Sequence, residues 1–141
     1  MRHALLRTLA LLTLLPAAAA CHPDGEPPAR TADESATLRR DVDTAGLKDE
    51  QASGKVSLLL DVRSPGEYAQ GHVPGAQNIP VDVLVDEVQH RGLPKTQELH
   101  LICESGARSS QGADALAAAG YRVVNVKGGT AAWRRAGLAV E

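Results

Sequence analysis

The sequence predicts an α/β fold with a central, mainly parallel β-sheet flanked by helices on both faces, and three observations carry this expectation. Residues 56–60 (VSLLL), 99–102 (LHLI) and 123–126 (VVNV) are short and largely apolar, as strands covered on both sides must be. Stretches with apolar residues at helical spacing lie between and after them. Each apolar run gives way to polar or glycine-rich residues, which puts Asp61 and Cys103 at the carboxyl ends of strands, where open parallel sheets bind ligands. In chain order, Pro65 stands near a helix start within residues 61–68 (DVRSPGEY), and residues 71–80 (GHVPGAQNIP) read as a turn-rich connector. Residues 81–90 align Val81, Leu84, Val85 and Val88 on one helical face. Residues 109–119 do the same for Ala113, Leu116 and Ala117, with Gly120 as a stop, and residues 130–136 around Trp133 form a short last helix.

With 141 residues there is room for one domain, expected over residues 38–141. A formal net charge of −2 and only three aromatic residues, Tyr68, Tyr121 and Trp133, provide neither a basic stripe nor a stacking platform, so nucleic acid is excluded as a partner. Arg39-Arg40 and Arg134-Arg135 read as solvated faces, and His90 and His100 have no companions at metal-ligand spacing, so no metal site is expected.

Residues 1–20 read as a signal peptide. Arg2, His3 and Arg7 make a basic start, residues 9–15 are apolar apart from Thr13, and residues 17–20 are alanines of the size that signal peptidases accept. The apolar stretch is short of the roughly 20 residues a spanning helix needs. Ala18-Ala19-Ala20-Cys21 resembles a bacterial lipobox, with Ala18 where that motif usually carries Leu. That resemblance implies lipidation of Cys21 and a periplasmic protein tethered to a membrane. Ordinary cleavage is the other reading, and it would leave Cys21 as a second thiol able to pair with Cys103. Residues 21–37, rich in Pro, Asp and Glu, carry too little apolar surface to offset the entropy of ordering and read as a flexible linker.

Cys103 opens the stretch Cys103-Glu104-Ser105-Gly106-Ala107-Arg108 between a strand and a helix. Unpaired N–H groups and the positive end of the helix dipole converge there, which favours thiolate over thiol. A lone cysteine also fits as a small core hydrophobe. Gly106, which lets the backbone curl, and Arg108, a fixed cation at the far end, favour the reactive reading. Asp61, Arg63, Glu67 and His72 form an acid–guanidinium set expected to fix loops by ion pairing more than to relay protons, with Asp61 and Arg63 backing the cysteine loop.

Residues 58–80 (LLLDVRSPGEYAQGHVPGAQNIP), 101–110 (LICESGARSS) and 123–133 (VVNVKGGTAAW) together resemble a single rhodanese domain, over essentially everything from Val42 onward. The resemblance implies a rhodanese-like fold, no metal or organic cofactor, and sulfur transfer. The four residues between Cys103 and Arg108 match the sulfurtransferase form of the loop; phosphatases and arsenate reductases of the same fold have one residue more. The expected chemistry takes sulfane sulfur from a thiosulfate-like or persulfide donor through a Cys103 persulfide to cyanide or a thiol. The loop N–H groups from Glu104 through Ser105, Gly106 and Ala107 to Ser109 would face the sulfur, with Arg108 orienting an anionic donor. Glu104, beside the nucleophile, is expected to repel thiosulfate and raise the Cys103 pKa unless its side chain turns away. A different class of function also fits: a persulfide carrier or binding module serving a membrane-associated partner.

Overall fold

The structure is a computed structural model and describes residues 32–141. The expected signal peptide, Cys21 and the first part of the expected linker lie outside the described residues. Five strands, β1 (Arg39–Val42), β2 (Leu59–Asp61), β3 (Ala76–Asn78), β4 (Glu98–Ile102) and β5 (Arg122–Val126), form one sheet in the order β1-β5-β4-β2-β3. Every pairing is parallel, so the expected mainly parallel sheet is parallel throughout. The helices are α1 (Ala32–Leu38), α2 (Thr44–Ala52), α3 (Pro65–Ala69), α4 (Leu84–His90), α5 (Ala107–Ala118) and α6 (Gly129–Arg135).

The apolar runs are nearly continuous because both faces of the sheet are covered. On one face Leu60, Leu99, Leu101 and Val123 pack with Leu84 and Val88 of α4 and with Ala113 and Leu116 of α5. On the other, Leu59, Ile102 and Val126 meet Leu47 of α2 and Trp133 of α6. Adjacent residues such as Leu59 and Leu60 therefore enter different cores, as the alternation of a strand requires. Burying a side chain of this size contributes roughly 1.5–3 kcal/mol, so two apolar layers suffice for a sheet whose strands are only three to five residues long.

Local signals start the helices where the site needs them. Ser64 caps α3: its hydroxyl accepts from the Glu67 N–H, the Glu67 carboxylate accepts from the Ser64 N–H, and Pro65 occupies the first turn. Asp43 caps α2 through the Gly46 N–H. Connections leave β2 towards β3 on one side and β4 towards β5 on the other. The carboxyl ends of the neighbouring strands β2 and β4 thus form the topological switch point, with Asp61 opposite Ile102 in the register.

Several elements differ from expectation. The first apolar run contributes only Leu59–Asp61 to the sheet, and two short strands were not anticipated. β3 lies within the turn-rich connector. β1 contains Arg39 and Arg40, which are not simply solvated: Arg39 pairs with Asp114 and Asp41, and Arg40 bridges Glu50 at 2.8 Å and Glu98 at 2.7 Å. Both strands lie at sheet edges, where a strand needs no second apolar face and gives no apolar run to read. Residues 32–37 of the expected linker are helical in α1, whose Asp33 and Glu34 fall in the first turn, where the helix dipole favours acids.

Candidate active site

Cys103 follows β4 directly, and α5 begins four residues later at Ala107. Gly106, with a φ of 100°, turns the chain in a conformation that a side chain would strain, and its N–H donates to Cys103 Sγ at 3.1 Å. Ser109, buried on the first turn of α5, puts its hydroxyl 3.5 Å from the same sulfur and 2.7 Å from Asn125 Oδ1. Asn125 Nδ2 in turn donates to Asp41 Oδ1 at 3.2 Å, which fixes the amide so that its oxygen faces Ser109.

The loop's carbonyls are held by the start of α6. Cys103 O accepts from Thr130 N–H at 2.8 Å and from Thr130 Oγ1 at 3.2 Å, and Glu104 O accepts from Ala131 N–H at 3.0 Å. This contact requires Gly129: a Cβ there would sit 2.3 Å from Cys103 O and 2.5 Å from Glu104 O, and its φ is 57°. With the carbonyls engaged by α6, the amides of the loop are left to the sulfur. Burial pushes the Cys103 thiol up, but the Ser109 hydroxyl and the N–H groups of Ser109, Gly106 and Ser105 outweigh it, and the pKa lies below the ordinary thiol value. Cys103 is 1% exposed and packs in the core formed with α4 and α5. Both sequence readings of this residue are therefore visible at once: it is a core side chain by packing and an anion site by hydrogen bonding.

Two arginines flank the loop. Arg63 is buried with Asp61; its Nε lies 3.0 and 2.9 Å from the two carboxylate oxygens and its Nη2 donates to Oδ2 at 2.7 Å. The same guanidinium reaches Gly71 O at 2.9 Å and Glu104 Oε2 at 3.2 Å. Arg108 makes a bidentate pair with Glu67, at 2.8 and 2.6 Å. The Arg108 guanidinium, with Ser64 behind it, holds the Glu67 carboxyl well below the usual carboxylate range. The Glu104 carboxylate is engaged by Arg63 and, at 3.5 Å, by Arg134. His72 is away from the loop contacts: it stacks on Tyr68 with ring centroids 3.7 Å apart. Next to the loop lies a cleft of about 320 Å³, walled by Val62, Ser64, Pro65, Pro80 and Val81 and bearing Asp82 and Arg108.

Sequence reasoning placed Cys103, Ser105, Gly106, Ala107, Arg108 and Ser109 in one loop and helix start, and the structure brings them together. It did not anticipate that Glu67 would hold Arg108, that Asn125 would back Ser109, or that residues 129–131 would grip the loop. The adjacent glycines Gly128 and Gly129, which cap and open α6 and both have positive φ, were the signal for that last contact.

A parallel sheet with a hydrogen-bonded cysteine sulfur at its switch point defines an α/β domain built around a short cysteine loop. The chain belongs to the rhodanese family: residues 43–136 match the model of the rhodanese-like domain. A sulfurtransferase of Allochromatium vinosum is 37% identical over 101 residues, covering 71% of this chain and 92% of that protein. The thiosulfate sulfurtransferase PspE of Escherichia coli is 34% identical over 70 residues, covering 50% of this chain and 67% of that one. Among solved structures, a rhodanese-related protein from Thermoplasma volcanium superposes with a TM-score of 0.63 at 29% identity, covering 72% of this chain and 97% of its own. The protein is thus, in general terms, a rhodanese-type sulfurtransferase.

Proposed function

We propose that the protein carries sulfane sulfur through a persulfide on Cys103, from a thiosulfate-like or persulfide donor to a thiophilic acceptor such as cyanide or a thiol. The carrying observation is the sulfur's setting: N–H groups from Ser105, Gly106 and Ser109 lower the thiol pKa against the cost of burial. In the first half-reaction the Cys103 thiolate attacks the outer sulfur of the donor. A new S–S bond forms, the donor's own bond to that sulfur breaks, and the electron pair leaves with sulfite or with the donor thiolate. In the second, the acceptor attacks the outer sulfur of the persulfide and the electron pair returns to Cys103. The same N–H groups face the anion at both ends of the cycle, and no cofactor enters either step.

Mass spectrometry after incubation with thiosulfate or cysteine persulfide tests this directly. Wild type is expected to gain the mass of one sulfur, removable by cyanide, and Cys103→Ser to gain none. Loading of the serine variant, or of neither protein with either donor, would refute the proposal. The burial of Cys103, at 1% exposure, favours one specific variant of this reading, a carrier that gives its sulfur to a docked partner. Loading that persists in the presence of cyanide would identify that carrier. The basic and apolar pattern of residues 1–20, followed by Cys21, supports export to the periplasm with a lipid tether, and intact-mass analysis of protein purified from its source would show lipid on Cys21.

A further inference from the structure

We propose that Glu67 sets donor selectivity: by occupying Arg108 it withholds the loop's cation from dianionic donors such as thiosulfate and leaves the site to organic persulfides, whose body enters the adjacent cleft. This rests on sulfur transfer through Cys103 and adds to it the class of donor.

The geometry of the pair carries the first half. Arg108 presents both terminal nitrogens to both Glu67 oxygens, the arrangement in which a guanidinium would otherwise receive an oxyanion. Glu67 is itself held, with Oε2 accepting from the Ser64 N–H at 3.1 Å and from the Ser64 hydroxyl at 2.8 Å. The carboxylate is therefore built into the start of α3. Among the described residues, the two other guanidinium groups that reach the loop are engaged as well. Arg63 is committed to buried Asp61, and Arg134 reaches Glu104 and Gly71 O. Around the loop, the three arginines Arg63, Arg108 and Arg134 face four carboxylates, Asp61, Glu67, Glu104 and Asp82. A donor with two negative charges meets no excess of side-chain cations there.

The cleft carries the second half. Its lining joins apolar Val62, Pro65, Pro80 and Val81 to polar Ser64, Asp82 and Arg108, so it offers both an apolar wall and polar anchors. Thiosulfate has no apolar part to bury against such a wall; an organic persulfide, R–S–SH, does. The transfer balances without an oxidant. The Cys103 thiolate bonds the outer sulfur, the R–S to S bond breaks, RS⁻ leaves with the electron pair, and the proton stays on the transferred sulfur.

The test compares kcat/KM for thiosulfate and for cysteine persulfide, with cyanide as acceptor, in wild type, Glu67→Gln, Arg108→Gln and the double variant. Gln preserves the cap of α3, since it can fill the same position of the capping box. Glu67→Gln is expected to raise kcat/KM for thiosulfate roughly tenfold, the scale of one charge-assisted hydrogen bond made available to the donor, mainly through KM. The value for cysteine persulfide should stay within about twofold, and the double variant should lose the thiosulfate gain. Arg108→Gln alone should change thiosulfate use by less than about threefold, because the cation it removes is already occupied. Equal changes for the two donors, a gain that survives in the double variant, or a loss above about tenfold in Arg108→Gln would overturn the proposal. A wild-type protein that loads sulfur from neither donor would instead overturn sulfur transfer itself.

Discussion

The floor and the rim of the Cys103 loop use the same chemistry to opposite ends. At the floor, Arg63 pairs with Asp61 where the two side chains are 2% and 0% exposed, and the start of α6 grips the loop's carbonyls. At the rim, Arg108 pairs with Glu67 where the side chains are 37% and 36% exposed. Water reaches the second pair and screens it, so its contribution to stability is small. The floor pair has no such screening, and breaking it leaves a buried charge unmatched. Two arginine–carboxylate pairs therefore divide the labour: the buried one anchors the strand end behind the loop and reaches Glu104, and the half-exposed one faces what approaches the sulfur.

The largest expected effect breaks the floor at its tightest point. Gly129→Ala would place a methyl group 2.3 Å from Cys103 O, so the loop and α6 must part. Displacement of the sulfur by about 1 Å is enough to cost on the order of a hundredfold in rate, so Cys103 loading measured by mass spectrometry should fall at least that far. Wild-type loading in a folded Gly129→Ala protein would mean that the grip of α6 does not fix the loop. Next comes the direct comparison of the two pairs by urea unfolding. Arg63→Met, which strands the buried Asp61 carboxylate, should cost about 3–5 kcal/mol, against less than about 1 kcal/mol for Arg108→Met. Equal losses would erase the distinction between floor and rim.

What the sequence made legible divides along a related line. Cys103, Gly106 and the start of α5 were readable because an apolar run, a glycine and a helical pattern lie next to one another. The Arg63–Asp61 pair was readable too, being two residues apart at a strand end. Contacts between distant segments left little local trace: Glu67 and Arg108 are 41 residues apart with nothing near either to name the other, and Cys103 and Thr130 are 27 apart, with only the glycine pair before Thr130 to mark one side. The edge strands β1 and β3 were missed for a different reason. A strand at the sheet's edge, made of Arg39-Arg40-Asp41-Val42 or Ala76-Gln77-Asn78, is written largely in polar residues and looks like a loop.

Glu104 gives the smallest expected effect and the sharpest boundary between the two regions, because it belongs to both. By sequence it adjoins the nucleophile, and a carboxylate beside the sulfur would raise the thiol's pKa. In the structure the backbone of Glu104 belongs to the floor, through Ala131, while its carboxylate, on a side chain 41% exposed, is engaged by Arg63 at 3.2 Å and Arg134 at 3.5 Å. Those two cations offset its field before it reaches the sulfur, and solvent screens what remains. The pH dependence of Cys103 alkylation by iodoacetamide measures the residue. Removing an unbalanced negative charge would move the midpoint down, since the thiolate would lose a repulsion. Glu104→Gln is expected to move it by less than about 0.3, because the charge removed was already balanced. A fall of about one pH unit or more would put the carboxylate's field on the sulfur and make the acidic side chain, rather than the ring of amides, the main control on how readily Cys103 ionises.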